Sequence, residues 1–173
     1  MPSSGPAISP SDLDAFDAAL AQATTPDACW TALRHLTEAT IGAKLFTVMH
    51  IDNEREVASR AFTSDPVSYP TSGTKPLRYD AWFERVHRDK RTFVANTIAE
   101  IAKVFPDHEL IWSLGCGSVV NLPIEVGGKV VGTVNALDAE HHYAEERVAA
   151  AERLRLPAKA AWLAAQHWSS KNP

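Results

Sequence analysis

Two apolar runs near the end of the chain form its strongest hydrophobic pattern. The runs, SVVNLPIEV at 118–126 and KVVGTVNALD at 129–138, are rich in β-branched residues and are separated only by Gly127 and Gly128. A Gly-Gly connection suits a primed turn, in which both central residues take positive φ. The pattern therefore predicts a β-hairpin.

A second β-rich pair lies in the first half of the chain. The segments KLFTVMHID at 44–52 and EVASRAFT at 56–63 flank Asn53 and Glu54, which can form a tight turn. This predicts another hairpin, at the start of a sheet. Residues 92–95 predict one further short strand.

The segment between the two hairpins is broken by proline and glycine. Pro66, Pro70, Gly73 and Pro76 predict a loop of more than ten residues, and loops of that length inside a compact domain are usually functional or mobile. Tyr79, Trp82, Phe83 and Val86 then predict a short amphipathic helix. Residues 98–113 predict helical fragments interrupted at Phe105-Pro106-Asp107.

Helical spacing of apolar residues marks both ends of the chain. It begins after residue 11, again after Thr25, and again over 144–168. Thr25 is a suitable N-cap for a helix that starts at Pro26, and Gly42 is a suitable C-terminal stop. Pro157 lacks a backbone donor, so we expect a kink or break there.

The order of these elements indicates an α+β fold. Strand pairs with two-residue turns favour an antiparallel sheet, and helices at both chain ends can cover one of its faces. No internal repeat or second domain is visible. We predict a disordered leader at residues 1–10, one domain at 11–168, and a tail at 169–173.

Composition and charge narrow the classes of function. The chain has 173 residues, of which 45% are hydrophobic and 22% charged, which is typical of one globular domain. Its formal net charge of −4 argues against a nucleic-acid partner, which requires a basic face. Cys29 and Cys116 are too few for a disulfide framework. No membrane span or signal peptide is visible, so we expect no membrane partner and a cytoplasmic location.

The hairpin at 118–137 resembles the corresponding part of GAF domains. GAF domains show a small residue, an apolar strand, Pro-Leu or Pro-Ile, a glycine turn and an apolar strand containing glycine. Here these are Ser118, Leu122-Pro123-Ile124, the Gly-Gly turn and the run Val130 to Asn135. The order of the leading helices, first hairpin and closing helix is also similar, so the resemblance covers roughly residues 12–168.

The resemblance implies a GAF/PAS-like antiparallel sheet of five or six strands, with helices on one face and a ligand pocket on the other. Members of the family bind cyclic nucleotides, bilins, haem, amino acids or aromatic effectors, and a few are enzymes. The scattered signature of the cyclic-nucleotide class is not found here. Bilin-binding members attach the chromophore through a cysteine beside a histidine. Here glycines flank Cys116, so bilin attachment is disfavoured. The cofactor or ligand therefore stays unidentified.

Members that reduce free methionine sulfoxide are similar through the strand that starts at Ser118. Those enzymes need resolving cysteines in the preceding loop and an acidic residue just after the serine. Here the loop holds one cysteine, Cys116, and Val119 follows Ser118. Cys116 is consequently the weak candidate for a catalytic residue, with a thiol pKa that a helix end or His108 can lower.

Aromatic and polar residues in the segments expected to form the pocket are the candidate ligand contacts. Asn121 is notable because an amide that interrupts an apolar strand must find partners if it is buried. Arg60 and Arg78 can supply a counter-charge to a carboxylate or phosphate. The predicted ligand-binding residues are Tyr79, Trp82, Asn96, Phe105, His108, Glu109, Trp112, Cys116, Ser118 and Asn121.

Metal binding receives no support from residue spacing, since no Cys or His pair has the spacing of a zinc site. Trp162 and Trp168 lie on the last predicted helix among many alanines. Such a face can pack on the chain's own sheet or serve as a homodimer interface, and GAF domains commonly dimerise through terminal helices.

Three hypotheses follow. The favoured one is a sensory domain that binds a small-molecule ligand, signals through protein–protein contact and has no catalysis of its own. The second is an enzyme with redox chemistry at Cys116 or a transformation built on His108, Glu109 and Asn96. The third is a dimerisation module without a ligand.

Overall fold

A computed structural model describes residues 5–171 of the chain. Its central element is a six-stranded antiparallel sheet in the order β3-β2-β1-β6-β5-β4. The strands are β1 Leu45–Asp52, β2 Val57–Thr63, β3 Lys75–Pro76, β4 Phe93–Ala95, β5 Ser118–Val126 and β6 Lys129–Asp138. The α+β class and the antiparallel sheet predicted from the sequence are confirmed.

Both predicted hairpins form. Gly127 and Gly128 have φ of 59° and 77°, so the β5–β6 turn is of the primed kind that the Gly-Gly pair predicts. The β1–β2 hairpin contains an irregularity between Val48 and Met49, where the register shifts by one residue. The short strand β3 was not predicted, because the prolines around it mask a strand pattern.

Helices from both chain ends cover one face of the sheet. The helices of the chain are α1 Pro10–Gln22, α2 Pro26–Ile41, α3 Ala81–Phe83, α4 Ile98–Ala102, α5 His108–Ser113, α6 Glu145–Glu152 and α7 Arg155–Ser169. The main apolar core lies between α1, α2, α6 and α7 and the sheet side chains that include Phe46, Val120, Leu122 and Val134. This arrangement is the predicted one.

The ends of the long helices follow local sequence signals. Thr25 caps α2 by accepting a hydrogen bond from the Ala28 N–H at 3.2 Å, and Gly42 ends it with φ 77°. The closing helix is interrupted between Glu152 and Arg155 rather than at Pro157. Pro157 lies in the first turn of α7, where a backbone N–H has no helical partner, so the proline causes no kink there.

The opposite face of the sheet is covered by the loop at 64–80 and by the short helices. α3 continues into a π-helical turn at Glu84–Arg88, and α4 and α5 are separated near Pro106, where a break was predicted. Within residues 5–171, no helix has the length and apolar character needed to span a membrane. Residues 1–4 of the predicted leader and residues 172–173 of the predicted tail lie outside the described range. Ser9 caps α1, which begins at Pro10.

Candidate ligand-binding site

On the face beneath the 64–80 loop and the short helices, the register of the sheet places side chains in three rows that run across the strands. Side chains alternate between the two faces along each strand, so residues opposite each other on neighbouring strands share a face. The rows are Val119, Leu137 and Leu45, which are apolar; Asn121, Asn135 and Thr47, which are polar; and Thr133, Met49 and Arg60, which are mixed.

The polar row is held by a chain of hydrogen bonds. Trp82 donates its indole N–H to Asn121 Oδ1 at 2.9 Å, Asn121 donates to Asn135 Oδ1 at 2.7 Å, and Asn135 donates to Thr47 Oγ1 at 3.1 Å. The three sheet residues of this row are buried. Thr47 is the last acceptor in this chain of bonds and donates to none of its members. Its hydroxyl hydrogen therefore stays free to donate to a further acceptor.

A cavity of about 330 Å³ lies above these rows. Its volume is at the lower end of the range for small-molecule sites. Its floor is formed by β1, β2, β5 and β6, and its walls by the loop at 64–80, by α3 and by residues 104–111. Much of the lining is apolar, including Met49, Ile51, Phe105, Ile111 and Val119.

Two covering segments are joined to each other above the floor. Tyr69, in the 64–80 loop, donates a hydrogen bond from its hydroxyl to the Asp107 carboxylate. Burial is the largest cause that raises the pKa of Tyr69, and the hydrogen bond to Asp107 adds to it, so the phenol stays protonated. Arg60 stacks on the Tyr69 ring at 3.7 Å and donates from Nη1 to the Pro70 carbonyl at 2.7 Å.

Two polar atoms of the lining are buried without a hydrogen-bond partner among the described residues. They are Arg60 Nε and Thr133 Oγ1. Buried polar groups in native proteins are nearly always paired, and an unpaired one raises the free energy of the folded state. Both atoms belong to cavity-lining residues of the mixed row, so a ligand that enters the cavity and displaces the groups packed over them is a candidate partner.

Comparison with solved structures identifies the fold. The GAF domain of a two-component sensor histidine kinase from Bacillus halodurans superposes with a TM-score of 0.67 at 13% identity, covering 85% of this chain and 99% of that one. A GAF domain/HD domain protein from Geobacter sulfurreducens gives a TM-score of 0.65 at 15% identity, covering 87% and 97%. This chain has a GAF fold.

An enzyme with a similar GAF-like structure is also found. The free methionine-R-sulfoxide reductase from Neisseria meningitidis, solved with its substrate, gives a TM-score of 0.63 at 16% identity, covering 96% of this chain and 99% of that one. No protein-family model and no curated protein matches the sequence. At these identities the likeness establishes the GAF fold and leaves the activity to the site itself.

Trp82, Phe105 and Asn121 are the predicted site residues that line the cavity of this GAF fold. The Trp82 and Phe105 rings pack edge to face at 6.4 Å, which joins the wall from α3 to the wall before α5. Asn121 lies in the polar row of the floor and is buried. The expectation that its amide finds partners is confirmed, and those partners are side chains of the chain itself.

The other predicted aromatic and acidic residues lie outside the cavity lining. Tyr79 is exposed and donates a hydrogen bond to the Glu56 carboxylate, while Trp112 is 54% exposed on α5. Glu109 is also exposed on α5. Their roles as ligand contacts stay predictions, and the geometry gives those roles no support.

The remaining predicted polar residues are engaged with backbone groups elsewhere. Asn96 exchanges hydrogen bonds with the Tyr143 backbone at 2.9 and 3.2 Å, and His108 Nδ1 lies 3.1 Å from the Phe105 carbonyl oxygen. Ser118 donates to the Ala139 carbonyl at 2.7 Å. Ser118 is one residue before Val119, so strand alternation turns it away from the cavity face.

Cys116 is buried in the small apolar cluster beneath the covering segments and does not line the cavity. Burial raises the pKa of its thiol to about 11, and the negative charge of Asp138 contributes. The expectation that a helix end or His108 lowers this pKa is therefore wrong. Cys29 lies in the separate core on the helix face, and both cysteines are free thiols.

Several lining residues were missed as site candidates. Thr47, Thr133 and Asn135 interrupt apolar strands in the same way as Asn121. The reasoning that selected Asn121 applies equally to them, so this signal was available. Tyr69 gave no comparable signal, because its position over the cavity depends on the path of a long loop. Arg60 and Arg78, suggested as counter-charges, both line the cavity.

Proposed function

We propose that this chain is a sensory domain that binds a small organic molecule between the sheet and its covering loops. The observation that carries the proposal is the polar floor of the cavity, with the Thr133 hydroxyl and the Arg60 Nε buried there and unpartnered within residues 5–171. A filled structural core would be apolar at these positions, since unpaired polar groups destabilise it. The sensor proteins among the structural neighbours are consistent with this role.

Transmission of the signal through protein contact is part of the proposal, with the terminal helices as the homodimer interface. Leu156 and Leu163 on α7 are 74% and 54% exposed, and Leu13 on α1 is also exposed. Trp162 and Trp168 pack partly against the chain's own core. A Leu163→Arg substitution would then shift a dimer to monomer in size-exclusion chromatography with light scattering. An unchanged molar mass would remove the interface from the proposal.

A ligand screen with a blocked cavity tests binding. Ala58 lines the cavity on β2, and Ala58→Trp would fill part of its volume. Ala99 is exposed on α4 and does not line the cavity, so Ala99→Trp adds the same side chain away from both the cavity and the proposed interface. Neutral, anionic and cationic compounds are screened by thermal shift, because a ligand that binds the folded state raises the melting temperature with dose.

The expected result is a dose-dependent increase in melting temperature in the wild type and in Ala99→Trp that is lost in Ala58→Trp. Circular dichroism of each variant verifies folding, and Ala58→Phe replaces Ala58→Trp if the larger ring prevents it. Failure of every class of compound to bind the wild type, or equal binding by the blocked variant, would contradict the proposal.

A further inference from the structure

We infer that the ligand is a small organic acid whose carboxylate pairs with Arg60 and whose apolar body packs against the apolar part of the cavity lining. This inference rests on the proposed function, since it names the chemical class of the ligand of the same cavity. It is carried by the arrangement of the Arg60 guanidinium, by the donors near it and by the apolar walls.

Arg60 is fixed in one orientation on the edge of the cavity floor. Its Nη1 is committed to the Pro70 carbonyl, and its plane stacks on the Tyr69 ring. Nε is buried and has no partner among residues 5–171. Nε and Nη2 form one edge of the planar guanidinium, and this edge matches the two oxygens of a carboxylate.

The charge of Arg60 is not neutralised by an ion pair with any described residue. Two carboxylates of the described residues line the cavity, and neither lies within ion-pair distance of Arg60. Asp107 accepts the hydrogen bond from Tyr69, and Asp80 accepts from the Phe83 backbone at 3.0 Å as the N-cap of α3. A partly buried cation that forms no ion pair within residues 5–171 favours an anionic ligand.

The other free polar groups of the floor are hydrogen-bond donors. The hydroxyl of Thr133 has no partner within the described part of the chain, and the direction of the polar row leaves the Thr47 hydroxyl hydrogen available. Thr47 and Thr133 are diagonal neighbours on β1 and β6. A ligand with acceptor oxygens satisfies these groups.

The remaining surface selects an apolar body. Met49 separates Arg60 from Thr133 in the mixed row, and Ile51, Val119 and Phe105 continue the apolar lining. The other cations of the lining, Lys75 and Arg78, are exposed. A multiply charged phosphate would require several buried donors on one side, whereas one guanidinium edge beside apolar surface matches a monocarboxylate.

Acid and amide pairs test this assignment directly. The probes are butyrate, isovalerate, hexanoate, benzoate and phenylacetate, each with its primary amide, and binding is measured by titration calorimetry. The proteins are the wild type, Arg60→Met, Arg60→Lys and Arg55→Met. Arg55 is exposed in the β1–β2 turn and does not line the cavity, so its variant removes the same charge from the same hairpin.

The expected result is that at least one acid binds the wild type and Arg55→Met about 10- to 100-fold more tightly than its amide, as a charge-assisted hydrogen-bonded pair predicts. In Arg60→Met this preference disappears while the amide affinity is retained. Arg60→Lys keeps the charge and loses the two-pronged geometry, so it keeps only part of the preference.

Four outcomes would overturn the inference. The first is equal binding of acid and amide by the wild type. The second is an equal weakening of both by Arg60→Met, which would indicate that Arg60 has a structural role in holding the Tyr69 loop. Binding of the amides alone, or of neutral or cationic compounds alone in the thermal-shift screen, would reject the organic acid and leave the proposed binding function standing. Binding of no compound in either experiment would reject both.

Discussion

Gly132 occupies a position on β6 where the neighbouring strand approaches too closely for any side chain. A Cβ at this position would lie 2.4 Å from the Met49 carbonyl oxygen, and ordinary contacts begin at 3.4 Å. The obstructing atom is backbone in the central pair of strands, so it cannot rotate away. A Gly132→Ala substitution must separate β1 and β6 by about 1 Å at this point.

Three contributions determine how much this separation changes the free energy of unfolding. Overpacking a rigid site costs about 1–3 kcal/mol, and a weakened ladder hydrogen bond adds about 1 kcal/mol. Reduced entropy of the unfolded alanine chain offsets about 0.5–1 kcal/mol. The net loss in the free energy of unfolding is about 1–3.5 kcal/mol, which lowers the melting temperature of a domain of this size by about 2–14 °C.

Gly73 offers a matched control in the covering loop. No atom of residues 5–171 lies within 4 Å of a Cβ added to Gly73, and the φ of this residue is not positive. Gly73→Ala is therefore expected to change stability by less than about 0.5 kcal/mol. Urea unfolding followed by circular dichroism gives both values, with the m-value verifying two-state behaviour. A Gly132→Ala midpoint equal to that of Gly73→Ala would refute the close approach of the two strands.

The remaining predictions concern buried polar and titratable groups. Asn135→Leu leaves the Asn121 amide nitrogen and the Thr47 hydroxyl oxygen each without its partner in the polar row, so urea unfolding should show a loss of about 2–4 kcal/mol; an unchanged midpoint would mean that the polar row is not structural. Burial lowers the pKa of His87, so its contribution to stability is complete above about pH 6.5 and is lost as the pH falls through the lower folded-state pKa. Stability measured from pH 8 to 5 should accordingly fall less in His87→Gln than in the wild type, and parallel curves would count against this. The Cys116 thiol, with its raised pKa of about 11, should react with iodoacetamide at pH 8 much faster after unfolding than before, as mass spectrometry can show; equally fast labelling of the folded protein would contradict its burial.

Much of the architecture could be predicted because it depends on neighbours in the sequence. The turn at Gly127-Gly128, the cap at Thr25 and the stop at Gly42 each act within a few residues, and each is found where the sequence predicts it. The kink or break that was predicted at Pro157 and is not found there also concerns a local effect. The effect of the proline depends on its position within a helical turn, and a difference of a few residues decides whether the missing donor matters.

The candidate site was predicted less completely because it depends on strand register and on the path of loops. Asn121 could be selected as a polar interruption of an apolar strand. Its pairing with Asn135 and Thr47 required knowledge of which strands are adjacent and how they are aligned. The predicted His108 and Trp112 are in the expected helix, but the rotation of that short helix directs Ile111 to the cavity instead.

The sequence by itself determined the helices, the hairpins and the two-faced sheet, because hydrophobic periodicity, turn chemistry and capping are local properties. Only the tertiary structure decided which polar side chains converge on one cavity. Arg60, Tyr69 and Asp107 come from a strand, a loop and a helix start that are distant in the chain. Contacts of this kind depend on the folded arrangement of the whole domain, so no local pattern can reveal them.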